Sequence, residues 1–200
     1  MTYQQEFASW FAPKAPEAAS PPKIGDKAPE TPKLDLTPGR PAVITFLRHC
    51  GCPFAEKTYL NLRDITKEHT NIDFIAVSHS DDASTQTWLR SLPQAGSGSQ
   101  NLRVVVDEKL ETYAAWGLGV SGWAHALSPF SLYNVYRMGK DEGIWNRPTQ
   151  SGSRWQTAGS YAVDREGIVR WGRAAERADD VADFDDAVGA LLGDGKEAKL

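Results

Sequence analysis

The chain has 200 residues, 40 % of them hydrophobic, which suits one domain with a substantial core. Its net charge is −4 with a pI near 5.6, and no cluster of lysine and arginine has the density of a nucleic-acid footprint, so no nucleic-acid partner is expected. No basic segment precedes an apolar core at the N-terminus, and no apolar run approaches the roughly 18 residues of a membrane span, so the expectation is a cytoplasmic protein without membrane attachment.

In chain order, residues 2–11 have the spacing of a short amphipathic helix through Tyr3, Phe7, Trp10 and Phe11. Residues 1–22 as a whole are expected to form an arm or linker, since alanine and proline dominate 12–22. The main domain is expected over 23–192. A turn at 37–41 leads into a buried strand at 42–47, and a helix from Pro53 to about residue 69 follows. A second strand is predicted at 72–78, then a helix capped by Ser80, Asp81 or Asp82 and stopped by Pro93, a third strand at 102–106, and a helix at 108–116 closed by Gly117. Residues 118–153, rich in glycine and aromatics, read as a long insertion with one helix near 131–138. Residues 159–163 and 168–172 flank a polar turn and predict a hairpin, Asp179 or Asp180 is expected to cap the last helix, and the tail begins at 193. Strands alternating with helices, then a hairpin and a helix, predict an α/β fold: a mixed sheet of about five strands with helices on both faces and the 42–47 strand central. This is thioredoxin-like topology.

Both cysteines lie in Arg48-His49-Cys50-Gly51-Cys52-Pro53-Phe54, where the first strand gives way to its helix. Proline is favoured at the first helical position, so Pro53 makes Cys52 the N-cap, with its sulfur toward unpaired N–H groups and the positive end of the helix dipole. With Arg48 and His49 adjacent, that position favours thiolate over thiol and marks Cys52 as a nucleophile; the competing reading is a buried, inert cysteine. Two cysteines one residue apart are too few for a disulfide scaffold or a structural zinc site, and the histidines make no ligand pair at helical spacing, so neither metal nor cofactor is expected. His49 alone among them has a functional position, as a proton shuttle; His69, His79 and His125 read as surface or structural. The tryptophans read as packing, with a ligand pocket over Cys52 as the lesser alternative.

The segments Ile24-Gly25-Asp26-Lys27-Ala28-Pro29, Val43 to Phe54, Val105-Val106-Asp107 with Trp116-Gly117-Leu118-Gly119, and Gly159 to Gly167 resemble, in order and spacing, those of the peroxiredoxins, the alkyl hydroperoxide reductase and thiol-specific antioxidant family. The likeness is greatest to its divergent members, including a fungal thioredoxin-like group. It implies that Cys52 is the peroxidatic cysteine, oxidised to a sulfenic acid by hydrogen peroxide or an organic hydroperoxide and reduced by a thiol such as glutathione or thioredoxin. It also implies a homodimer. The chain departs from the family pattern at three points. His49 and Thr45 replace a threonine and a proline, three and seven residues before the cysteine, and Ala158 replaces an arginine before the hairpin, leaving Arg48 and Arg154 as nearby substitutes. Thr45, Pro53 and Arg154 are therefore candidates for holding substrate, and Cys50 is either an incidental small residue or a resolving thiol. Two rival functions remain open: a redox-silent thioredoxin-fold protein that binds a partner or small molecule, and a non-redox enzyme of specialised metabolism on the same fold.

Overall fold

The computed structural model describes residues 15–120, 129–148 and 151–193; the expected N-terminal helix, Trp123, His125 and most of the tail lie outside them. Five strands form one sheet in the order β3-β2-β1-β4-β5: β1 (Ala42–Phe46), β2 (Asp73–Ser78), β3 (Leu102–Val106), β4 (Gly159–Val163) and β5 (Val169–Ala174). The first three run parallel, and β4 and β5 pair antiparallel, with Ile44 opposite both Ile75 and Tyr161. β1 is central because all five of its residues are apolar or hydroxyl-bearing and buried, a composition suited to a strand covered on both faces.

Alternation along β1 and β2 divides the core in two. Val43, Phe74 and Ala76 face α1 (Pro53–Ile65), Trp88 of α2 (Asp82–Ser91) and Phe184 and Val188 of α5 (Phe184–Leu192). Ile44, Phe46, Ile75 and Val77 face Trp116 and, on α3 (Glu111–Ala115), Tyr113. In this second layer Phe46 meets Tyr113 edge-on at 5.0 Å, and Trp116 lies 4.9 Å from Tyr161.

The element types follow the sequence, and the shifted boundaries have local causes. α1 stops at Ile65, where the Thr66 hydroxyl donates to Arg63 O at 2.7 Å. α3 begins at residue 111, not 108, because buried Asp107 accepts the N–H groups of Thr112 and Tyr113 and Leu110 takes a left-handed conformation. α4 (Pro129–Glu142) is longer than the predicted 131–138. Gly139, which reads as a breaker, sits within it under the Trp145 ring, where a Cβ would come within 2.4 Å. The last helix is capped by Asp183, which accepts from Asp185 and Asp186 N–H, and not by Asp179 or Asp180; these pair with Arg177 and Arg173 instead.

Trp116 is fully buried against Phe46 and Tyr161. Trp116→Ala is expected to lower stability by about 3–5 kcal/mol, read from urea unfolding. A loss below about 1 kcal/mol would show that this layer does not hold the sheet.

Candidate functional site

At the C-terminal ends of β1 and β2 the chain leaves the sheet in two adjacent loops. One carries Leu47 to Cys52, the other Ser78, His79 and Ser80. Tyr113 supports both, its hydroxyl lying 2.7 Å from the carbonyl oxygens of Leu47 and of Val77. His79 is buried beside it, with Nδ1 3.4 Å from the Tyr113 hydroxyl and Nε2 accepting the Ser153 N–H at 3.1 Å. Both bonds suit a neutral ring protonated on Nδ1. Burial lowers the His79 pKa to about 4, outweighing the backbone carbonyls of Ser153 and Leu47, which favour the protonated ring.

Cys52 is the N-cap of α1, with extended backbone and Pro53 in the first turn; its carbonyl accepts Glu56 N–H at 3.1 Å. The sulfur itself takes no capping hydrogen bond, so the expected contact with the free N–H groups is absent from this conformation. Cys50 is in a different setting. Its Sγ lies 3.6 Å from Ser78 Oγ and 3.8 Å from Thr85 Oγ1, and its N–H donates to Ser80 Oγ at 3.2 Å. Burial pushes the Cys50 thiol pKa up, against the lowering effect of these hydroxyls. Gly51 between the cysteines has a φ of +104°, which suits glycine.

Arg48 and Arg154, far apart in sequence, meet: Arg48 Nη2 donates to Arg154 O at 2.8 Å. The Arg48 guanidinium is buried, and its Nε and Nη1 have no hydrogen-bond partner among the described residues. His49 is also buried, with neither ring nitrogen bonded among the described residues; burial first, then Arg48, Arg154 and His79, drives its pKa well below the usual value. The expected proton shuttle is thus a neutral imidazole with no proton to deliver as a cation near pH 7. Thr45 is fully buried, and its hydroxyl is bonded to Ser160 Oγ at 2.8 Å. Thr45 and Arg48 line a cavity of about 290 Å3 between the start of α1 and the approach to α5, with Phe54, Ala55, Ser160 and Trp171 among its other walls. Cys50 lines a separate cavity of about 260 Å3 with Trp88 and Ser91 of α2.

Sequence reasoning missed the hydroxyls of Ser78, Ser80 and Thr85 around Cys50, and the pairing of Glu56 with Arg147. It read Ser78 to Asp82 as helix capping, which Asp81 does perform by accepting Ser84 N–H at 2.7 Å. The recurrence of hydroxyl residues at 78, 80 and 85 was the available signal. No group of acidic, histidine and cysteine side chains among the described residues is arranged to hold a metal ion.

A cysteine capping the helix that follows the central strand of such a sheet defines a thioredoxin-like protein. Solved structures share that fold: a peroxiredoxin-like protein from Aquifex aeolicus (16 % identity, 88 % of this chain and 90 % of that one, TM-score 0.58), a thiol peroxidase from Chromobacterium violaceum (16 %, 92 % and 93 %, 0.54) and Mycobacterium tuberculosis AhpC (16 %, 89 % and 97 %, 0.52). The chain belongs to the AhpC/TSA antioxidant enzyme family, whose profile matches residues 61–177, and is accordingly a thiol-dependent oxidoreductase. The matched segment begins after the cysteine loop. No curated protein matches the chain in sequence.

The His79 environment sets a pH dependence. Its pKa of about 4 lies below the unfolded value near 6.5, so within that window the unfolded chain binds a proton that the native chain does not. This contribution is complete above pH 6.5 and is lost as pH falls toward 4. Between pH 7 and 5 it should remove about 2 kcal/mol of stability, and His79→Gln should abolish that part of the slope in urea unfolding. Identical slopes for both proteins would refute the assignment.

Proposed function

We propose that the chain is a thiol peroxidase whose oxidised sulfur is Cys52. The observation that carries this reading is the position of Cys52: N-cap of α1, at the exit of the central strand, in a chain of the AhpC/TSA family. Negative charge at that position faces the positive end of the helix dipole. Cys50 is the poorer candidate, because burial holds its proton on.

In the reaction, the Cys52 thiolate attacks one oxygen of the peroxide and the O–O bond breaks. The sulfur takes up that oxygen as a sulfenic acid, and the departing oxygen leaves as hydroxide or alkoxide and takes a proton from water. A thiol then attacks the sulfenic sulfur, releasing water and forming a mixed disulfide, and a second thiol attacks the mixed disulfide to restore Cys52. Arg48 suits the first step, since Arg154 O anchors one nitrogen of its guanidinium while Nε and Nη1 keep free hydrogens for a peroxide oxygen. His49 contributes an unpaired ring N–H as a neutral donor. The 290 Å3 cavity beside Phe54 and Ala55 gives room for an organic hydroperoxide as well as hydrogen peroxide, and glutathione or thioredoxin is the reductant class this chemistry needs.

Cys52→Ser is expected to abolish thiol-dependent peroxide consumption with the fold retained, because serine preserves the cap and cannot ionise near neutral pH. A sulfenic-acid trap read by mass spectrometry should label Cys52 in the unaltered protein. Full turnover by a folded Cys52→Ser protein, or trapping confined to Cys50, would overturn the assignment.

A further inference from the structure

Both sulfurs are covered, Cys52 being 5 % exposed and Cys50 4 %, so a bulky reagent reaches them only after polypeptide moves. The geometry singles out the segment leaving α4. Ile144 anchors it in the core, and beyond Trp145 its contacts turn to the cysteine loop. Arg147 N–H donates to Gly51 O at 2.9 Å. The carbonyl oxygens of Arg147 and Pro148 lie so close to Gly51 that a Cβ there would approach them to 2.8 and 3.1 Å. Gly51 thus serves two needs at once: a positive φ, and a surface flat enough for this arm to lie on.

Besides the backbone bond to Gly51, one side-chain ion pair holds the arm to α1. Glu56, in the first turn of α1, accepts from Arg147 Nε at 2.8 Å and Nη2 at 3.0 Å. Glu56 is 2 % exposed and Arg147 35 %, and among the described residues no other side chain bonds the Glu56 carboxylate. A buried carboxylate neutralised solely by the arm favours the closed state. Lifting the arm hydrates both charges, so the desolvation cost of closure offsets part of the attraction. The 260 Å3 cavity between the arm and α2 leaves the arm without side-chain packing on that flank.

We propose that Glu56 and Arg147 form a latch that decides the size of molecule admitted to Cys52. This rests on Cys52 being the reactive sulfur. With the latch closed, only peroxide-sized molecules reach Cys52; a bulky thiol or disulfide is admitted only when Arg147 releases Glu56. Neither latch residue takes part in the peroxide chemistry.

The test compares alkylation of Cys52 by iodoacetamide and by a maleimide carrying a polyethylene glycol chain, each normalised to a free thiol and mapped by mass spectrometry. Arg147→Ala strands the carboxylate unless the arm lifts, so the bulky reagent should react about tenfold faster or more while iodoacetamide changes less than about threefold. Arg147→Lys keeps the charge without the bidentate geometry and should fall between. In the unaltered protein, hydrogen exchange of residues 145–148 should be faster than that of α1 and no slower than labelling by the bulky reagent. An unchanged bulky-to-small ratio across the three proteins, or an arm as protected as α1, would overturn the latch. These readouts need no peroxide, so loss of peroxidase activity with latch behaviour intact would count against the Cys52 assignment alone.

Discussion

The Tyr113 hydroxyl lies 2.7 Å from the last carbonyls of both central parallel strands, and what stands above the sheet depends on it. Parallel neighbours end at the same edge, so β1 and β2 release their loops side by side, with backbone groups there that the ladder no longer pairs. Val77 O also accepts Leu47 N–H at 2.9 Å, leaving the single phenolic proton for Leu47 O or shared between the two carbonyls. His79 then packs edge-on to the Tyr113 ring at 5.3 Å and takes the Ser153 N–H. One buried phenol thereby ties the strand exit that carries Arg48 and the cysteines to the segment that covers them. Tyr113 itself is placed by Asp107, whose carboxylate accepts its N–H at 3.1 Å and pairs with Lys33 at 3.3 Å.

The frame of this arrangement was legible in the sequence because its signals are local. A run such as Ala42 to Phe46 announces a covered strand, Pro53 announces a helix start, and Gly117 after Trp116 announces a helix end; each is read within a few residues. The hairpin was equally plain. Boundaries moved where a side chain overruled the pattern, as Asp107 did for α3 and Asp183 for α5. Arg173 drew Asp180 into an ion pair at 2.6 Å, which no helical periodicity could announce.

The site was legible only in part, for the same reason inverted. The positions of Cys52 and Pro53 follow from the loop itself, whereas the contacts that define their surroundings join residues 91 apart for Arg147 and Glu56, and 106 apart for Arg48 and Arg154. The glycine- and aromatic-rich stretch 118–153, which supplies Arg147 and Ser153, reads from sequence as an insertion whose aromatics pack or line a pocket. In the fold, residues 143–148 and 151–155 close over the strand exits. Ser80 Oγ donates to Ser151 O at 3.0 Å, and Gly152 lies against Ser80, His49 and His79. His49 shows the cost of reading charge from adjacency: beside Arg48 in sequence it suggests a proton donor, yet burial among cations keeps the ring neutral.

Burial and reactivity oppose each other here, and the two cysteines resolve the conflict differently. A sulfur enclosed by apolar walls and hydroxyls, as Cys50 is, gains hydrogen bonds but loses solvation of its anion, and the loss dominates. At a helix start, by contrast, charge is met by oriented backbone dipoles that burial does not remove and that gain strength as water is excluded. Cys52 occupies such a helix start, whereas Cys50 is enclosed by apolar walls and hydroxyls. Arg48 shows the same tension: a buried guanidinium whose Nε and Nη1 are uncommitted among the described residues is unfavourable in the resting protein.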